Sequence, residues 1–264
     1  MSDATKNNVK VLFSKVPEVT IFFWIIKILA TTVGETAADY LNTNLGLGTT
    51  GTTVVMSAFL AVALFFQFRG KKYNPPVYWI VVVLVSVVGT LITDNLTDHA
   101  GISLRVSTAI FSVLLAIVFY VWYRQEGTLS IHSIDTVRRE AFYWLAILVT
   151  FSLGTAAGDL ISESFQLGYW KSVLLFAGLI GIVVIATFVF KLNRVLAFWL
   201  AYILTRPLGA SIGDFMSQDH VHDTAWGLGL GTTGTSVIFL SAILLVVVFL
   251  SVTKKDQPPP VVAE

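Results

Sequence analysis

Four separated stretches of this chain repeat one phrase in unbroken register, and nothing else in the sequence restricts the fold as much. The phrase is an aromatic residue and Trp, nine mostly apolar residues, Gly, four residues, then Asp. It occurs as Phe23-Trp24…Gly34…Asp39, Tyr78-Trp79…Gly89…Asp94, Tyr143-Trp144…Gly154…Asp159 and Phe198-Trp199…Gly209…Asp214. Trp to Gly is 10 residues and Gly to Asp is 5 in every copy, and successive Trp positions are offset by 55, 65 and 55. One shift of 120 residues (24→144, 79→199) therefore maps the first pair onto the second, as expected of a duplicated unit. Each copy of an internal repeat is one supersecondary unit with the same place in the architecture.

The solvent of that architecture follows from composition. Of the 264 residues, 55% are hydrophobic and 12% charged, about half the charged fraction of an ordinary soluble domain. A span needs about 20 mostly apolar residues to cross the hydrocarbon. Eight segments qualify, at about 18–41, 52–68, 77–96, 104–123, 141–163, 171–190, 195–216 and 233–252. The first is too long and too polar for a signal-peptide core and has no small-residue cleavage site after it. The connecting loops are too short to hold a soluble domain, so we expect a single membrane domain over 1–264. Its repeats fall at about 17–69, 73–124, 138–190 and 194–252. The tail 253–264, with Pro258-Pro259-Pro260, reads as disordered or polyproline. There are no cysteines and the net charge is +1, which removes disulfides and thiolate metal sites and gives no basic surface for nucleic acid. The bilayer and a small ion or solute are the partners expected.

Orientation follows from Lys and Arg in the short loops. With alternating sides, 13 of the 17 cations fall on one face, two (Arg105 and Lys171) on the other, and Lys27 and Arg206 lie inside spans. Both termini are then cytoplasmic. Every repeat starts and ends on that side, which predicts four parallel helical hairpins, pseudo-symmetric about the membrane normal. Each Asp lies 15 residues beyond its Trp, about 22 Å along a helix, so the four carboxylates share one depth near the outer side. First helices carry the small and polar residues, and second helices are almost purely apolar. Polar and small residues inside a membrane belong at helix contacts or cavities, so the first helices should form an inner ring and the second a sheath.

The motif residues each admit two roles. Trp24, Trp79, Trp144 and Trp199 could anchor at headgroup depth or converge as a cytoplasmic gate. The Gly lets helices approach closely. An ionised Asp within a span costs several kcal/mol; Asp39, Asp94, Asp159 and Asp214 could each serve an interhelical hydrogen bond or sit at the water interface, or they could converge to bind a cation or carry protons. Residues four apart share a helical face, and Glu35, Thr36, Thr90 and Thr155 before the Asp, with Asp98 and Glu163 after it, extend a polar stripe of hard oxygens. Repeats one and four depart from the pattern: Glu35 occurs only in the first, and Arg206-Pro207 only in the last. Arg206 at mid-depth needs a carboxylate partner or an anion. Glu35 is the candidate by depth, because a closed ring makes the first and last repeats neighbours. Lys27 is near enough to the cytoplasmic side to snorkel. His99, and Asp219, His220, His222 and Asp223, could capture a metal from outside or be plain solvated loops. The Gly/Thr-rich segments 45–54 and 228–237 read as flexible outer turns or a re-entrant cap.

The four Trp-Gly-Asp repeats, covering about Pro17 to Leu250, resemble the DUF347 repeat family of bacterial integral membrane proteins. The resemblance implies a bacterial integral membrane protein of four tandem repeats and lends no substrate; we expect the inner (cytoplasmic) membrane. With no nucleotide-binding motif, nucleophile elbow or H-E-x-x-H pair, we expect no enzyme and no cofactor beyond a bound cation. The residues point to a secondary transporter or exporter of a small cation, divalent or similar, proton-coupled through the four Asp. The alternatives are a non-transporting scaffold or sensor, and a transporter of a small anionic solute using Arg206.

Overall fold

The computed structural model describes residues 11–12, 14–44, 48–219, 227–258 and 261–262. Its helices are α1 (Ile21–Asn44), α2 (Gly48–Arg69), α3 (Pro75–Asp94), α4 (Leu104–Glu126), α5 (Val137–Asp159), α6 (Tyr169–Phe188), α7 (Arg194–Ser217) and α8 (Gly231–Thr253). All eight are long and apolar enough to cross a membrane, and the chain is an integral membrane protein. Local chemistry sets the boundaries. The side chains of Asn74, Ser103, Thr136 and Asn193 accept hydrogen bonds from the first-turn amides of α3, α4, α5 and α7, satisfying donors that a helix start leaves unpaired. Gly127 closes α4 in the left-handed region. α3 and α5 run on into π-helical turns, Asn95–His99 and Leu160–Ser164, each beginning one residue after the motif Asp.

Burial separates the two sets of helices. In α1, α3, α5 and α7 between 61% and 67% of the apolar window is buried, against 11% to 22% in α2, α4, α6 and α8. The odd-numbered helices close a ring, α1–α3–α5–α7–α1, and the even-numbered helices form the outer layer. The hairpin pairing expected from chain order does not hold. Each outer helix packs on the first helix of the following repeat: α2 on α3, α4 on α5, α6 on α7 and, closing the circle, α8 on α1. α1 and α2 make only a slight contact. Hydrophobicity does not favour one apolar helix pair over another in lipid, so close fit decides the pairing. The hydroxyls of Thr36 on α1 and Ser236 on α8, 2.7 Å apart, mark one such fit.

The motif glycines are where the inner helices touch. A methyl group on Gly34 would come within 1.7 Å of Ser86 Oγ, on Gly89 within 2.7 Å of Phe151 Cβ, on Gly154 within 2.3 Å of Arg206 Cγ, and on Gly209 within 1.8 Å of Thr31 Oγ1. The four contacted residues all lie seven positions after their own Trp, so one contact recurs around the ring. Pro207 lies within α7 against Gly154 and Gly158 of α5.

The first and last described segments, Val11–Leu12 and Val261–Val262, lie at one end, called the terminal end below. There Lys15 Nζ pairs with the buried Glu140 carboxylate at 2.7 Å, and Gln67 Nε2 donates to the other oxygen of Glu140 at 2.8 Å. The tail expected to be disordered from 253 is partly built into this end. Asp256 is buried and accepts from the Tyr73 hydroxyl, its carbonyl accepts from Glu18 N, and Val261–Val262 pairs antiparallel with Val11–Leu12. Buried polar partners hold it, which composition alone does not register. The Gly/Thr-rich segments also differ from expectation: from Gly48 and from Gly231 they form the first turns of α2 and α8, while residues 45–47 lie outside the described set.

Candidate functional site

A stripe of residues spaced by four on each inner helix faces the ring axis, giving five layers from the aromatic residue before the Trp to the motif Asp. The layer nearest the termini is Phe23, Tyr78, Tyr143 and Phe198. Each of these rings meets the Trp of the next repeat: Phe23 with Trp79 at 5.7 Å between centroids, Tyr78 with Trp144 at 5.4 Å, Tyr143 with Trp199 at 6.3 Å, and Phe198 with Trp24 at 5.8 Å. Tyr78 and Tyr143 hydroxyls lie 2.6 Å apart. Trp79, Trp144 and Trp199 are buried and Trp24 half-buried. The headgroup-anchor role is therefore corrected for those three: their indoles are packed within the protein, and Trp199 lies against Phe119 and Trp122 of α4 while its Nε1 donates to Leu129 O at 2.9 Å.

The second layer holds Lys27, fully buried, with Nζ 4.0 Å from the Tyr202 ring centroid and 4.3 Å from that of Phe151. It does not snorkel; its Nζ lies against two aromatic faces on the axis. The third layer is Thr31, Ser86, Phe151 and Arg206, and the fourth Glu35, Thr90, Thr155 and Ala210. Arg206, fully buried, reaches outward so that Nη2 donates to Glu35 Oε2 at 2.9 Å, to Thr155 Oγ1 at 2.7 Å, and to Thr90 Oγ1. The partner inferred from depth is the one present.

Beyond this floor the axis opens into a cavity of about 190 Å³ at the end opposite the termini. Asp39, Asp94, Asp159 and Asp214 all line it, with Glu35 at the bottom and Asp98 and Glu163 towards the rim. Asp39, Asp94 and Asp159 are half-buried, Asp214 is buried, and Asp98 and Glu163 are exposed. Seven acidic side chains thus share one polar vestibule. Among the described residues, no three His, Asp or Glu side chains converge closely enough to hold a metal ion. Larger cavities of about 470 and 520 Å³ lie elsewhere and are mainly apolar grooves, such as that between α1, α6 and α7.

Thr36, expected in the polar stripe, instead meets Ser236 on α8 and does not line the cavity. Its position two after Gly lies off the axial face. His99 and Asp219 are exposed and belong to no metal-holding group; His220, His222 and Asp223 lie outside the described residues. Asn42, Thr97 and Tyr169 line the cavity and were not anticipated. Thr97 lies on the π turn after Asp94, whose wider turn changes which side chains face inward. Tyr169 starts α6 just after Gly168, whose φ of 80° turns the chain; the sequence carries no signal for that placement.

A closed ring of four inner helices, an acid-lined mouth at one end and an aromatic seal at the other define a repeat-built polytopic membrane protein. Four segments, 22–73, 77–128, 142–193 and 197–256, match the family described as Repeat of Unknown Function (DUF347), and the chain belongs to that family. No curated protein and no solved structure matches it.

Proposed function

We propose that the protein is a secondary transporter or exporter of a small cation, divalent or similar, coupled to protons through the motif carboxylates. One observation carries this: the four Asp of the repeat line a single cavity together with Glu35, Asp98 and Glu163. Carboxylates brought together in a low-dielectric site repel one another, and a cation or protons relieve that repulsion. Their wide spacing suits an ion that keeps part of its hydration shell and exchanges readily. The vestibule faces outward, the termini are cytoplasmic, and the membrane is the bacterial inner membrane, in keeping with the loop cations. Reporter fusions at each terminus test the orientation.

Flux in proteoliposomes tests the function. Asp39→Asn and Asp159→Asn should each slow cation-driven proton movement at least about tenfold, a loss of about 1.4 kcal/mol or more. Unchanged flux of every transported cation in both variants would remove the proposal. Binding without flux would favour the second reading, a membrane sensor. The filling of the axis inside Arg206 by Lys27 and aromatic rings supports that alternative. An anionic solute has less support, because Arg206 does not line the vestibule and its Nη2, which reaches the floor, is taken up by Glu35, Thr90 and Thr155.

A further inference from the structure

At the vestibule floor three oxygens from three different repeats converge on one nitrogen. Glu35, Thr90 and Thr155 occupy the same position, eleven after the Trp, in repeats one, two and three. The fourth repeat has Ala210 there and supplies no oxygen. Arg206, one turn below Ala210, fills the place with Nη2 alone, donating to Glu35 Oε2, Thr90 Oγ1 and Thr155 Oγ1. The rest of the guanidinium is poorly served. Nε and Nη1 are buried without a hydrogen-bond partner among the described residues, and the group lies 5.7 Å from the Phe151 ring centroid.

A pocket shaped for arginine presents a fork of acceptors to two nitrogens. This one presents its acceptors to a point. Thr90 Oγ1 lies 3.4 Å from Glu35 Oε2 and 3.4 Å from Thr155 Oγ1, the separation of neighbouring oxygens around an octahedral cation held at about 2.4 Å. One carboxylate and two neutral hydroxyls match a single positive charge. All three side chains are nine-tenths buried or more: Glu35 is 6% exposed and Thr90 and Thr155 0%.

We propose that the focus of Glu35, Thr90 and Thr155 is a binding site for a monovalent alkali cation, which Arg206 Nη2 occupies as a tethered substitute. The permanent cation keeps the first three repeats drawn together at the floor of the vestibule whether or not anything is bound above it. Removing the side chain beyond Cβ leaves room at the same oxygens, adjoining the vestibule through which an ion and water can enter.

The test uses purified full-length protein in detergent, with thermal unfolding in lithium, sodium or potassium chloride compared with choline chloride at equal ionic strength. Arg206→Ala should gain a Tm rise of at least about 3 °C with one alkali ion over the response of wild type. That gain should vanish in Arg206→Ala with Glu35→Gln, and in Arg206→Ala with Thr90→Val and Thr155→Val. An ion response of Arg206→Ala equal to that of wild type would overturn the proposal, and so would a gain that survives the two Thr replacements. If Arg206→Ala does not yield folded protein, Arg206→Lys decides. A point ammonium at the same focus should keep Tm within about 2 °C of wild type, and a fall as large as that of Arg206→Gln would overturn the proposal. Neither readout needs a gradient, so absence of cation flux leaves this site standing, and failure here leaves the vestibule carboxylates in place.

Discussion

The two ends of the ring axis are built from the same four helices on the same four-residue spacing, yet one is open and acidic and the other closed and aromatic. At the terminal end, Phe23, Tyr78, Tyr143 and Phe198 lean on the Trp of the next repeat and fill the ring. At the other end the same register positions carry Asp, and seven acidic side chains line a cavity of about 190 Å³. As far as the motif Asp, side-chain volume and charge separate the ends; beyond it α3 and α5 also widen into π turns. Tilted ring pairs with centroids 5.4–6.3 Å apart gain packing and quadrupole attraction, whereas carboxylates avoid one another and leave space that water or ions can enter.

That contrast is exposed to substitutions that should affect the two ends unequally. Trp144→Ala should cost about 3–5 kcal/mol of stability, the value for deleting a large buried aromatic, while Asp159→Asn in the vestibule should stay within about 1 kcal/mol and act on ion binding instead. Equilibrium unfolding in mixed micelles measures both, and a Trp144→Ala cost below 1 kcal/mol would show that the indole seal carries no weight. Between the ends, Glu35→Gln leaves Arg206 uncompensated and should destabilise by about 3–5 kcal/mol, with much of that recovered when Arg206→Gln is added. Strictly additive losses in the double variant would dissolve the pair. Gly154→Ala should cost about 1–3 kcal/mol by overpacking because Arg206 Cγ lies 2.3 Å from the added methyl. Gly178→Ala on the outer helix α6, where nothing lies within 4 Å, should be neutral or stabilise by up to about 1 kcal/mol. Tyr78→Phe deletes one side of the Tyr78–Tyr143 hydroxyl pair and should cost about 1 kcal/mol.

The smallest effect concerns the tail. Burial holds the Asp256 carboxyl above the usual carboxylate range, so the folded state favours its protonated form. The stability it contributes is complete below the unfolded pKa and is lost as pH rises through the folded one. Protease access to the tail should accordingly increase as pH is raised from acidic towards neutral, and Asp256→Asn should flatten that dependence. A tail cleaved equally at both pH values would mean that Asp256 does not govern its docking.

Much of the candidate site was legible because it lies on one helical face. Four-residue spacing places Glu35, Asp39, Thr90, Asp94, Thr155, Asp159 and Asp214 on the axis once the first helices are inside, and depth along the helix pairs Glu35 with Arg206. What escaped depended on neighbours. Lys27 looked close enough to water to snorkel, but Phe151 and Tyr202 from two other repeats enclose it. Thr36 shares the polar composition of the stripe but not its direction, and Ser236 of α8 takes its hydroxyl. Tyr169 reaches the vestibule from an outer helix that otherwise reads as lipid-facing.

The sequence by itself determined eight spans, four repeats in register, the division into inner and outer helices, and the layer to which each axial residue belongs. These depend on local quantities: apolar length, helical rise and the angle between residues four apart. Only the tertiary structure decided that each outer helix sits on the inner helix of the next repeat, that three buried oxygens meet on Arg206 Nη2, and that the tail is tied down through Asp256. Hydropathy cannot choose among apolar partners in lipid, where every candidate helix is equally greasy. Close fit at the glycines and a small number of buried polar contacts make that choice, and they form only when distant parts of the chain meet.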